Sequence, residues 1–140
     1  MRQLATVAAV LVVLAVPVVT WWLAGDQSTT RPGNADYVLR PPFRLSNRTT
    51  RALGIGALVV ALAAAASLIG ASASHSFDPS WWSVVGPLLL LGILLGLGWR
   101  VFTAGVIGAN IGAGLFVFFI GPVILALVAW VIFRTISLLN

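Results

Sequence analysis

The chain has no cysteine, which excludes disulfides, thiolate metal sites and cysteine nucleophiles together. Lysine and glutamate are also missing, and His75 is the sole histidine. All eight basic residues are arginine. Charge of either sign is scarce: 8% of the 140 residues are charged, where a soluble domain carries roughly 25%. Hydrophobic residues make up 60%, and the mean hydropathy is +1.07. A water-soluble core of this size does not absorb so much apolar side chain, so the composition reads as a polytopic membrane protein.

These scarcities remove most chemistry. Ser72, Ser74, Ser76 and Asp78 stand beside His75, but a triad needs a fold that orients each member and supplies an oxyanion hole. A short loop between helices offers neither. His75 and Asp78 alone are too few ligands for a metal. The glycine run "GANIGAG" follows no strand and has no lysine, so it is no phosphate loop. No acid lies inside any apolar run, which argues against a carboxylate proton relay. The expectation is a protein without catalytic residues, metal or cofactor.

What is present is four apolar runs. The first spans residues 4–23, about 30 Å of helix, with Pro17 inside it and Trp21 and Trp22 at its far end. It is long for a signal-peptide core, and no small-x-small site follows it, so an uncleaved span is expected. The second covers 52–71 and the third 81–99, opened by Asp78-Pro79 as N-cap and first helical residue. On the second run, Gly56, Val60 and Ala64 share one stripe and Ala61, Ala65 and Ile69 another. The last run, 103–134, is longer than one span needs and carries Gly121-Pro122 as a site for a kink. Arg100 is the lone charge between the third and fourth runs, and "GLGWR" supplies glycines for a tight reversal. The fold expected is all-α, with four transmembrane helices in one compact bundle.

The polar segment 25–51 holds most of the charge. "GDQSTTRPGNAD" has loop chemistry, Pro41-Pro42 stops any helix, and Ser46 or Asn47 can cap the next one. Arg44, Arg48 and Arg51 follow at helical spacing, a candidate contact for anionic lipid headgroups. The net charge of +5 and pI near 11.8 thus point to lipid and not to nucleic acid. With both termini outside, Arg31, Arg40, Arg44, Arg48, Arg51 and Arg100 face the cytoplasm and only Arg2 and Arg134 do not. The positive-inside rule favours that orientation. The bias toward alanine, valine, leucine, glycine and arginine suggests a high-GC bacterial genome, and hence a multi-pass protein of the bacterial inner membrane.

The stretch "TAGVIGANIGAG", Thr103 to Gly114, has the most distinctive pattern. Read as helix, Ala104, Gly108 and Gly112 form one ridge and Gly105, Ala109 and Ala113 the next, a smooth face for close helix packing. Asn110 points away from it, with Thr103 two turns back on the same line. One neighbouring helix cannot satisfy both faces: either two partners sandwich this segment, or it is not regular helix. Its texture is similar to the glycine-rich, asparagine-centred stretch of small four-span fluoride channels. The glycine/arginine and phenylalanine/threonine signatures of that family are missing and the asparagine falls in the wrong span, so the resemblance is rejected. Small multidrug transporters also have four short spans but rely on an intramembrane glutamate, which this chain lacks.

The reading that remains is a non-enzymatic membrane protein acting through helix packing, as an accessory or assembly subunit of a larger membrane complex. Its partners would be lipids and either other membrane subunits or further copies of itself. The alternative is a homo-oligomeric pore, holin-like, or a small passive permease.

Overall fold

The computed structural model describes residues 2–26, 37–42 and 45–140. Among the described residues there are four α-helices: α1 Arg2–Leu23, α2 Asn47–Ala73, α3 Trp82–Phe102 and α4 Ala109–Leu139. A 3-10 turn, Pro79–Trp81, leads into α3. All four helices are long and apolar enough to cross a membrane. An apolar run without water to pair its backbone must satisfy every N–H and C=O within itself, and the helix does so.

The helix starts follow local chemistry. Ser46 caps α2, its hydroxyl accepting from the Thr49 N–H at 3.1 Å. That cap sets α2 off five residues before the apolar run begins, so Arg48 and Arg51 lie on exposed helix and not in a loop. Asp78 caps the 3-10 turn, accepting from Ser80 N–H at 2.9 Å, with Pro79 in the first position. At the other end, α3 runs past Trp99 and takes in Arg100.

The fourth helix starts later than the sequence suggests. Thr103 to Gly108 is turn and extended chain, and α4 begins at Ala109. Two causes are visible. Gly108 sits at φ +79° as the residue preceding the helix, a conformation that glycine adopts without strain. Meanwhile the Leu39 N–H, from the long polar segment, donates to the Phe102 carbonyl at 3.0 Å and fixes the end of α3. The glycines of "GLGWR" therefore do not make the reversal; Gly96 and Gly98 lie within α3. From Ala109 the helix continues through Pro122 to Leu139 without a break, 31 residues or about 46 Å.

The principal interfaces join α2 to α1, α1 to α3 and α3 to α4. The α1–α2 pair is antiparallel, with Trp22 against Gly54 at one end and Ala5 and Ala8 clustered with Leu68 at the other. α1 and α3 run parallel, since Val85 joins that same cluster while Pro17 meets Gly92 and Gly96 farther along. α4 returns antiparallel on α3: Phe116 meets Gly98, and Trp130 meets Ser83 about four turns away. The core of Ala5, Ala8, Val12, Ala64, Leu68 and Val85 belongs to α1, α2 and α3 alone. Leu68 is fully buried there. None of the most apolar window of α4 is buried inside the chain. Three helices thus share a core, and the fourth leans on α3.

Candidate functional site

All four helices have an end on one side, formed by the close of α1, the start of α2, the close of α3 and the start of α4. Arg100 is the centre of that end. Its Nε donates to the Trp21 carbonyl at 2.8 Å, its guanidinium carbon lies 4.3 Å from the Trp21 ring centroid, and one terminal nitrogen sits 3.4 Å from the Asp26 carboxylate. The last carbonyls of a helix lack intrahelical donors, and a cation there also answers the helix dipole. α1 has no basic residue in its own last turn. Arg100 supplies one from α3, across 79 residues of sequence. Nearby, the Tyr37 ring lies over Gly105, where a Cβ would come within 2.6 Å of it. Arg40 stands 6.0 Å above the same ring.

The residues expected to form a packing face on the fourth helix separate in the structure. Ala104, Gly105, Ala109 and Ala113 are buried. Gly108 and Gly112 have nothing within 4 Å of where a Cβ would stand. The continuous face is not formed, because Thr103 to Gly108 is not helical. Thr103 and Asn110 do not share a line either. Thr103 is buried and donates its hydroxyl to the Trp99 carbonyl at 2.7 Å. Asn110 is exposed in the first turn of α4. Arg48 and Arg51 are exposed on the first turns of α2, and Arg44 lies outside the described residues. Of the small residues on α2, Ala64 and Gly54 face inward, while Gly56 has open space.

Close helix packing falls instead on residues that the sequence reading passed over. A Cβ on Gly96 would stand 2.5 Å from the Pro17 carbonyl oxygen, and one on Gly92 3.1 Å from the Pro17 ring. The Trp22 ring occupies the space in front of Gly54. Gly92 and Gly96 are four apart in an apolar helix, so their signal was in the sequence.

The opposite end, with the 74–78 loop, the 3-10 turn and the last turns of α4, has a second polar knot. Pro87 has no N–H, so the Ser83 carbonyl loses its helical donor. The Trp130 indole N–H of α4 replaces it at 3.0 Å. Arg134 Nε donates to the Ser83 hydroxyl at 3.0 Å, and that hydroxyl donates to the Ser80 carbonyl at 2.6 Å. On the other side of α3, an open furrow of about 640 Å³ runs between α1 and α3. Its walls include Ala9, Val13, Val84 and Leu88, and its mouth carries His75, Ser76 and Asp78. His75 is exposed, at φ +54°. The Asp78 carboxylate accepts from the Ser80 hydroxyl at 2.8 Å. Among the described residues no three histidine, aspartate or glutamate side chains converge in a metal-binding group.

Compared with known protein families, with curated proteins and with solved structures, the chain matches none.

Proposed function

We propose that the protein is a multi-pass component of a bacterial inner membrane, its four helices inserted as one unit with both termini outside, and that it serves as a non-enzymatic accessory or assembly subunit of a larger membrane complex. The observation that carries this reading is α4. Its 31 residues have a mean hydropathy of 2.8 over the most apolar window, none of which is buried in the chain. Phe118, Phe119, Leu125 and Phe133 are each more than half exposed. Apolar surface on that scale marks contact with lipid or protein. With α3 its main support, α4 keeps most of its circumference for a partner helix.

Arg40, Arg48, Arg51 and Arg100 gather at one end of the described structure, which supports placing that end in the cytoplasm, against anionic headgroups. Arg48 and Arg51 stand near the N-terminus of α2, where the helix dipole disfavours cations, and the first turn holds no acid to offset them. A lipid phosphate supplies the missing negative charge.

The alternative, a homo-oligomeric pore or small permease, has less support. Leu68, Ala64 and Val12 fill the space among α1, α2 and α3 at one end, and Pro17 closes on Gly92 and Gly96 farther along. A path would have to run between copies. Native mass spectrometry of the chain extracted gently from its own membrane separates the readings. A stoichiometric foreign subunit is the expected result. A homo-oligomer alone, with ion or dye flux in liposomes, would overturn the accessory reading in favour of a pore.

A further inference from the structure

We infer that the furrow between α1 and α3 holds an acyl chain of one membrane lipid whose headgroup carries a primary amine, seated at Asp78. The inference rests on the membrane insertion proposed above. The furrow is amphipathic along its length. Its polar residues Thr6, His75, Ser76 and Asp78 lie toward the loop end, and apolar side chains, most of them from α1 and α3, line the rest.

Depth argues for a lipid and against a partner helix. On α1 the lining runs from Thr6 to Leu14, about 12 Å of helix. One leaflet has about 15 Å of hydrocarbon. The furrow stops before the level at which Pro17 seats on Gly92 and leaves no room. A transmembrane partner would need a groove through both leaflets; a lipid tail needs one. Charge chooses the headgroup. Asp78 is the one carboxylate in the lining, and no arginine belongs to it. A lipid ammonium is attracted there, and an anionic glycerol headgroup is repelled.

The test is native mass spectrometry of the full chain from nanodiscs of equal phosphatidylethanolamine and phosphatidylglycerol. Wild type is expected to retain one phosphatidylethanolamine, preferred roughly fivefold, the scale of one charge near a membrane surface. Asp78→Asn keeps the cap, since asparagine caps as well as aspartate, and should keep a bound lipid while losing the preference. Val10→Trp adds bulk at the furrow's rim, where Val10 is half exposed, and should lose the lipid. Leu125→Trp, on the open face of α4, should not. Equal retention of the two lipids by wild type, or an unchanged lipid in Val10→Trp, overturns the proposal. So does a cross-link from the furrow to a protein subunit in native membranes. If alkaline carbonate releases the chain from membranes without detergent, membrane insertion itself fails. A chain that stays in the membrane and shows no lipid preference refutes the furrow site alone.

Discussion

Replacing Gly96 with alanine tests the α1–α3 interface at its tightest point. The added methyl would stand 2.5 Å from the Pro17 carbonyl oxygen, 2.8 Å from the Thr20 Cβ and 3.0 Å from the Trp21 backbone nitrogen. These are main-chain and Cβ atoms of a helix, so no flexible side chain can move aside. Ordinary contact begins near 3.4 Å, which requires α1 and α3 to part by about 1 Å. A gap of that size forfeits a quarter to a half of each dispersion contact along the seam. Overpacking of this kind costs ~1–3 kcal/mol, while alanine's helix propensity returns ~1 kcal/mol. Gly96→Ala should therefore lose up to ~2 kcal/mol net, and stand ~1–3 kcal/mol below a glycine-to-alanine change at an open helical position.

Gly56→Ala, within α2, is the control, because nothing lies within 4 Å of its Cβ position and no proline follows it. It should be neutral or gain stability. Reversible unfolding in mixed detergent micelles, followed by far-UV circular dichroism, gives both values. If Gly96→Ala proves as stable as Gly56→Ala, α1 and α3 do not meet at Pro17 and the packing order described above is wrong.

Four other outcomes follow from named contacts. Trp130→Phe removes the donor to the Ser83 carbonyl and should cost up to ~1.5 kcal/mol; with Pro87→Ala restoring a backbone donor, most of that penalty should disappear, and an additive double-mutant cycle would refute the link. Gly108→Ala should destabilise by ~1–2 kcal/mol for its positive φ alone, while Gly112→Ala should be harmless; equal costs in an unfolding assay would mean that both glycines serve a packed helical face after all. Arg100→Gln loses the stack on Trp21 and part of the α1 cap, whereas Asp26→Asn weakens an ion pair whose carboxylate side is half exposed, worth at most ~1 kcal/mol; a larger loss in Asp26→Asn would reverse that ranking. Because the chain lacks cysteine, Ser46→Cys and Ser74→Cys can be labelled singly in intact cells with an impermeant maleimide; Ser74→Cys should react and Ser46→Cys should not if the arginine-rich end is cytoplasmic.

The number and rough placement of the helices were legible because the signal is local. Each apolar run is long enough to span, and Ser46 and Asp78-Pro79 announce helix starts in a few residues. The tertiary site was legible only in fragments. Arg100 meets its partners far back along the chain, and no window contains both halves of that contact. Pro87 is an intermediate case. A proline inside a helix frees the carbonyl four residues earlier, so the need at Ser83 is readable, and Trp130 is one of few side-chain donors in the apolar runs able to meet it.

The glycines show most clearly why spacing alone misleads. The same small-xxx-small rule applies to Gly92 and Gly96 and to the run from Ala104 to Ala113, and it holds for the first and fails for the second. The rule presupposes a helix. At Gly92 nothing interrupts α3 on either side. Between Thr103 and Gly108 the backbone is taken by a left-handed glycine and by a hydrogen bond from Leu39 to the end of α3. With the helix beginning only at Ala109, Ala109 and Ala113 keep their four-residue spacing and are buried. Ala104 and Gly105 are buried for a different reason, within a turn that Tyr37 covers. Asn110 is exposed in the first turn of α4, at the end of the helices that carries Arg48, Arg51 and Arg100. Its exposure follows from where α4 begins and not from the helical face that the spacing from Thr103 implies.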